Sequence, residues 1–357
     1  MDAVQVVWFK RDLRVGDHAP LARAARRGPV LPLYVVEPGL LRQPDSGPRH
    51  WTFARESLRE LRASLAALGQ PLLVRSGEIV AVLEALFAAV PFAALWAHEE
   101  IGTAWVMARN AEVRAWAAAR NLPFAELDSQ QARGAEPVAA IRPLPVALAP
   151  GAIPTHQQLG LASDDRAVVP PAGEAAGRAL LDRLLAAGAA EYALAQADAL
   201  RAPELSSRLG PHLAWGTVRA WGGPREAGKR GRDPDGAAPL PLFGGEVAAP
   251  PGAAEEPHGP GDAPRALAAF TARLRARERA LRALADDARI ERESVIPAFD
   301  ALRDADLPEL RGGPARADRL ADWREGQTGY PLVDAAMRAL RATGWLSFPL
   351  RALLVSF

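Results

Sequence analysis

No cysteine occurs in the 357 residues, which excludes disulfide staples, thiolate zinc sites, iron–sulfur clusters and thiol nucleophiles together. Lysine is almost missing as well: apart from Lys10 and Lys229, all 43 basic residues are arginine. With abundant Ala, Gly and Pro this has the look of a GC-rich coding bias, so a single arginine carries less functional information than usual. No uninterrupted apolar run approaches the roughly 20 residues that span a bilayer. The opening MDAVQVVWFKRDLR lacks the basic-then-apolar order of a secretory signal. A cytoplasmic protein without a membrane partner is expected. Neither charge sign is in excess, with 43 basic against 42 acidic residues. Composition therefore announces no polyanion partner, and nucleic-acid binding would need a local patch.

The chain is 49% hydrophobic and 24% charged, enough for a sizeable core, and its length suggests two domains. Short β-rich runs occur at 4–9, 30–36 (broken by Pro32), 71–74 and 93–97. Helical patterns separate them at 18–25, 51–68, 79–90 and 103–119, with Leu58, Leu61, Leu65 and Leu68 at spacings of three and four. This alternation predicts βαβ units and a parallel sheet over residues 1–130. Ligands of such a sheet sit at the carboxyl ends of its strands, where Phe9–Arg14 follows the first strand. No G-x-G-x-x-G appears there, so the ordinary dinucleotide fingerprint is absent.

Residues 131–175 carry scattered prolines without a sustained period and read as an interdomain linker. Beyond them the strand signals disappear. Helical character at 175–190, 213–220, 265–285 and 332–341 predicts an all-α domain over 176–357. Inside it, residues 222–264 contain nine prolines and ten glycines, a low-complexity insertion expected to be disordered.

Few residues announce chemistry. None of the six histidines pairs at metal-ligand spacing, and His18 and His212 read as hydrogen-bonded structural residues. The adjacent carboxylates Glu99–Glu100 and Asp286–Asp287 read as solvated. Arg273, Arg275, Arg277, Arg279 and Arg282 form either a salt-bridged surface helix or a phosphate-contacting face. Ser206-Ser207-Arg208 just before a helix combines hydroxyls, free backbone N–H groups and a cation, which suits a phosphate or pyrophosphate. A plain serine N-cap is the simpler reading.

Three blocks then point to a family. Val7-Trp8-Phe9-Lys10-Arg11-Asp12-Leu13-Arg14 with Asp17-His18 is the first. Ser207-Arg208-Leu209 with His212-Leu213-Ala214-Trp215-Gly216 is the second. The third is Trp323-Arg324-Glu325-Gly326-Gln327-Thr328-Gly329-Tyr330-Pro331-Leu332-Val333-Asp334-Ala335-Ala336-Met337-Arg338, continued by Gly344-Trp345-Leu346. In this order they resemble the signatures of the DNA photolyase/cryptochrome family. The resemblance implies a Rossmann-like α/β antenna domain followed by an all-α FAD-binding domain. It implies light-driven repair of pyrimidine dimers in DNA, by electron transfer from reduced FAD to a lesion flipped out of the duplex. An antenna chromophore of folate, deazaflavin or flavin type is implied as well, and a monomer is expected. By resemblance Tyr192, Ser206, Ser207, Arg208, Leu209, Arg277 and Arg351 contact FAD. Arg273 and Arg277 are implied to face DNA.

The sequence departs from the family at several of these places. Gly210 replaces a serine of the phosphate segment, Ala276 an aromatic that packs on the lesion, and Arg273 a glutamate that contacts it. Phe348 and Pro349 replace polar and basic residues near the flavin, and Pro349 is expected to remove a helix hydrogen bond. The chain stops at Phe357, inside a helix the family continues, so the FAD domain is expected to be incomplete at its C-terminus. Three functional readings follow: a photolyase, a cryptochrome-type blue-light receptor without repair activity, or an inactive truncated remnant.

Overall fold

Val4–Phe9 (β1) is buried at every position, as a strand covered on both faces must be. The computed structural model describes residues 3–128, 137–164, 169–219, 263–300 and 314–357. β1 is the centre of a five-stranded parallel sheet with Val30–Val36 (β2), Leu73–Ser76 (β3), Phe92–His98 (β4) and Phe124–Leu127 (β5), in the order β3-β2-β1-β4-β5. Helices Ala19–Arg27 (α1), Pro38–Leu41 (α2), Pro48–Ala67 (α3), Ile79–Ala89 (α4) and Ala104–Ala119 (α5) connect the strands. Successive side chains of a strand point to opposite faces. Val4, Val6 and Trp8 accordingly join one apolar layer with Leu83, Leu95 and Val113. Val7 and Phe9 join the other, with Leu21, Leu58 and Leu61. Gln5 is the polar exception, and its buried amide oxygen accepts from Trp96 Nε1 at 2.9 Å. Pro32 is tolerated in an interior strand because the β3 ladder begins only at Leu33.

Residues 137–161 form no strand, yet they lie along this sheet unit as more than a loose connection. Ile141 is buried, and its N–H donates to the Leu68 carbonyl at 2.6 Å. The N–H of Val74 donates to the Pro150 carbonyl at 2.8 Å.

Helices take over from Glu174–Ala197 (α6), through Ala202–Leu205 (α7), Gly210–Ala214 (α8) and Ala263–Asp286 (α9), to Pro314–Glu325 (α10), Pro331–Thr343 (α11) and Phe348–Ser356 (α12). The helix expected over 213–220 ends instead at Ala214, since Gly216 takes a left-handed φ of 61°. The proline- and glycine-rich stretch 222–264 lies almost wholly outside the described residues.

The chain divides into two units. One comprises 1–181, 208–220 and 277–306, and the other 182–207, 221–276 and 307–357. In the second, Val333, Ala336 and Met337 of α11 recur at helical spacing and pack with Leu346 and Leu354. Gly344, with φ 70°, closes α11 as its left-handed cap. Pro349 sits in the first turn of α12, where its N–H would have had no partner, so the expected loss of a helix hydrogen bond does not occur. Among the described residues no helix is long and apolar enough to cross a membrane.

Candidate functional site

Immediately after β1 the chain turns around Asp12. Its Oδ1 accepts the Lys10 N–H at 2.7 Å, and its Oδ2 lies 2.9 Å from His18 Nε2 and 2.7 Å from His98 Nδ1. All three side chains are buried within reach of a common cation. His18 Nδ1, however, accepts the Leu21 N–H at 3.1 Å and caps α1, so its proton resides on Nε2, pointing at Asp12. The donor set is spent on hydrogen bonds, and the cluster is a clasp. Burial, then the neighbouring His98, lowers the His18 pKa to about 4. Burial alone would raise the Asp12 carboxyl, but the two histidines hold it well below its usual range.

Beside this clasp, at the carboxyl ends of β1 and β2, is a shallow cleft lined among others by Trp8, Lys10, Arg11, Tyr34, Glu37 and Trp215. Its wall is ionic. Arg109 Nη1 donates to Glu37 Oε2 at 2.8 Å and Nη2 donates to Glu100. The Arg109 guanidinium lies 4.9 Å from the Trp8 ring centroid and Lys10 Nζ lies 4.6 Å from it. Glu100, expected to be solvated, is therefore buried and paired, because Arg109 compensates its charge. Burial raises the Glu37 pKa to about 7 against the opposing pull of Arg109. Glu37 Oε1 and Lys10 Nζ are both buried without a hydrogen-bond partner among the described residues. Lys10 Nζ is nonetheless ion-paired with Glu126 Oε1 at 3.6 Å, so the one polar atom the cleft leaves open is Glu37 Oε1. Nothing in the sequence singled out Glu37 or Arg109, and Glu100 was expected in solvent; only the strand-end rule pointed to their neighbourhood.

The serine-arginine segment lies between α7 and α8. Ser206 ends α7 and Leu209, fully buried, precedes α8, so neither serine is the N-cap expected of the simpler reading. Arg208 adopts a left-handed φ of 54°, a strained conformation for a residue with a side chain. The Ser206 carbonyl accepts from Arg183 Nη2 at 3.4 Å, while its hydroxyl is buried without a partner among the described residues. A buried hydroxyl left unpaired costs about 1–3 kcal/mol, which a phosphate oxygen of FAD would offset; the residue present fits that group. Tyr192 falls within α6, but its side chain lies outside the described residues.

Following α8, Leu13 donates its N–H to the Trp215 carbonyl at 3.0 Å, and Arg14 Nη1 donates to the Gly216 carbonyl at 2.9 Å. His212 is indeed hydrogen-bonded, its Nδ1 2.7 Å from Thr217 Oγ1. Arg277 Nη2 donates to the Leu213 carbonyl at 3.3 Å, which places Arg277 beside the segment that begins at Arg208. Arg273, Arg275, Arg277 and Arg279 are exposed on α9, and Arg282 pairs with Glu278 one turn away. Arg273 meets Arg351 across one ring: their guanidinium carbons lie 5.1 and 6.0 Å from the Phe348 centroid. Burial and the nearby Arg273 charge lower the Arg351 pKa.

A parallel α/β unit with a strand-end cleft, joined in sequence to helices that carry an unsatisfied serine beside an arginine, defines a two-domain nucleotide-cofactor protein. Comparison with known proteins gives the family. The model of the DNA photolyase domain matches residues 5–139, and that of the FAD binding domain of DNA photolyase matches residues 270–357. A deoxyribodipyrimidine photo-lyase of Halobacterium salinarum is 28% identical over 400 residues, covering 99% of this chain and 74% of its own. A cryptochrome DASH of Gloeobacter violaceus is 29% identical over 382 residues, covering 96% and 69%. The crystal structure of a bacterial class III photolyase from Agrobacterium tumefaciens superposes with a TM-score of 0.71 at 19% identity, covering 100% of this chain and 72% of that one. The chain belongs to the DNA photolyase/cryptochrome family and is a flavoprotein with FAD as its cofactor.

Proposed function

We propose that this flavoprotein is a DNA photolyase, using light to split pyrimidine dimers, and that it acts in the cytoplasm. The observation that carries the reading is the row of exposed arginines on α9. Arg273, Arg275 and Arg279 make no ion pair among the described residues, which leaves them to meet phosphates. When bound and reduced, FAD supplies the electron that a light-excited flavin gives to the lesion. The chain's own residues hold and orient. Ser206, Ser207 and Arg208 engage the cofactor diphosphate, the first through its unsatisfied hydroxyl, and buried Leu209 fixes the turn that presents them. Tyr192, Arg277 and Arg351 are assigned to the same cofactor. Arg273 and Arg277 meet the DNA backbone on the same helix. An antenna chromophore is assigned to the strand-end cleft, where Glu37 Oε1 is left to hydrogen-bond it.

A second reading, a blue-light receptor that does not repair, is favoured by Ala276, which offers no face to stack against a flipped base. One experiment separates the two. The purified chain is loaded with FAD, its flavin absorbance recorded, and dimer loss measured in UV-irradiated oligothymidylate under blue light. Flavin with light-dependent dimer loss supports the photolyase. Flavin without dimer loss leaves the receptor. Failure to retain flavin at all overturns both and leaves the inactive remnant.

A further inference from the structure

We infer that Phe348 is the stacking platform for an unpaired DNA base in this chain, in place of the aromatic that Ala276 does not supply. The inference rests on the DNA-binding half of the reading above. Phe348 opens α12 with 55% of its surface exposed, an unusual position for a large aromatic ring. Its helix packs Leu350, Leu353 and Leu354 into the local core. Residues 348, 351 and 355 recur at helical spacing as a separate, exposed stripe. The ring is therefore not a displaced core residue.

What surrounds it is cationic. The Arg273 guanidinium lies 5.1 Å from the ring centroid and that of Arg351 lies 6.0 Å away. Neither arginine makes an ion pair among the described residues. Two guanidiniums without an ion-pair partner among the described residues, beside one exposed ring, suit single-stranded nucleic acid: the π-face takes a base and Arg273 its flanking phosphate, while Arg351 stays with the cofactor. The Arg273 guanidinium already lies over the ring. An incoming base takes that place, and Arg273 turns to the adjacent phosphate.

The position is also the relevant one. Arg273 and Ala276 are three residues apart on α9, hence neighbours on one helix face. The arginine that reaches the ring thus shares a helix face with position 276. Stacking is tolerant of base identity but requires an unpaired base, so the platform selects extruded or single-stranded thymines over paired duplex.

The test uses the FAD-loaded full chain and fluorescein-labelled single-stranded oligothymidylate, with and without one central cyclobutane dimer, read by anisotropy. Phe348→Leu, which keeps an apolar side chain without a π-face, is expected to weaken binding about 5- to 50-fold. Phe348→Trp is expected to match or exceed the wild type. Because the ring is exposed, the thermal midpoint of Phe348→Leu should stay within about 2 °C of wild type; a larger fall shifts the comparison to Phe348→Trp against Phe348→Tyr. Binding by Phe348→Leu within twofold of wild type overturns the platform and leaves the photolyase reading intact. Strong, Phe348-dependent binding without light-dependent dimer loss supports the platform and overturns the photolyase reading. A wild type that binds neither strand overturns both.

Discussion

Replacing Glu37 by Gln should flatten the pH dependence of folding of the sheet unit between about pH 5 and 7. In the folded state Glu37 is 3% exposed and its pKa is raised from 4.5 to about 7. Between those values the folded chain binds one proton more than the unfolded chain. Stability therefore falls as pH rises, by about 1.4 kcal/mol per pH unit at most. Over the interval of about 2.5 units, the loss approaches 3 kcal/mol. The stabilisation is fully present below the unfolded pKa and gone once pH passes the folded one. Glutamine cannot titrate, yet its carbonyl oxygen can still accept from Arg109 Nη1, which bonds Glu37 Oε2 at 2.8 Å. Its amide would face the side where Glu37 Oε1 has no partner, a penalty that shifts the whole curve without changing its slope. The measurement is urea unfolding at half-unit steps from pH 4.5 to 8, followed by tryptophan fluorescence, because Trp8 stacks on the Arg109 guanidinium of this ion cluster. The difference between variant and wild type should grow by about 2–3 kcal/mol in favour of the variant as pH rises. Parallel curves would refute the reasoning, since they would mean that Glu37 is charged in the folded state throughout.

Gly216→Ala should lower stability by at least about 2 kcal/mol. A Cβ there would lie 2.1 Å from the Arg11 carbonyl oxygen and 2.7 Å from Asp12 Cα, at a φ of 61°, and the urea midpoint reads the loss. Gly210→Ser should fold normally, because a Cβ at Gly210 meets nothing within 4 Å. The added hydroxyl should tighten FAD binding by about tenfold, measured by flavin fluorescence on titration. Asp334→Ala should remove the hydrogen-exchange protection of the Thr328 and Gly329 amides, which donate to its carboxylate at 2.8 and 3.1 Å. In the wild type that protection should fail only in acid, because the Thr328 hydroxyl bond lowers the Asp334 pKa and the anchor is lost as pH falls through the folded value.

The strands at 4–9 and 30–36 were legible to the residue, because β-branched runs bounded by turn signals have few alternatives to a buried parallel strand. β5 was not. It pairs only with β4, is half-buried throughout, and carries Glu126, so it offers neither an apolar run nor clean alternation. α12 was expected from the resemblance, but the effect of Pro349 was not legible: it reads as a breaker in a chain of symbols, whereas in the first turn it removes nothing. The ion cluster was hidden for another reason. Arg109 lies 72 residues from Glu37, and in an arginine-rich chain nothing marks it as the one held between two carboxylates and a tryptophan. Only the fold assigns that role. The arginines of α9 show the converse: their spacing was legible and their exposure follows from it, but the meeting of Arg273 with Arg351 on Phe348 depends on how α9 and α12 pack.

The segment that most strongly betrays the family proves to be structural. Val7 and Phe9 fill the core, and Asp12 clasps His18 and His98. Arg14 reaches the Gly216 carbonyl and Asp17 pairs with Arg219, tying the β1 turn to the segment after α8. Each of these residues is held by burial or by an otherwise unpaired polar group, and none of these contacts needs a flavin or a DNA strand; Trp8, Lys10 and Arg11 of the block line the strand-end cleft. A chain could keep this block, fold its sheet, and still lose repair. The block is therefore strong evidence for a fold and weak evidence for an activity. Evidence for activity has to come from positions that the fold leaves free to vary. Here those are Ser206, whose hydroxyl has no partner among the described residues, Arg273, Arg275 and Arg279 of α9, which make no ion pair among them, and the exposed ring of Phe348. Each of the three carries a stability cost or an unmet contact among the described residues, and each is of the chemistry that a phosphate or a base would complete.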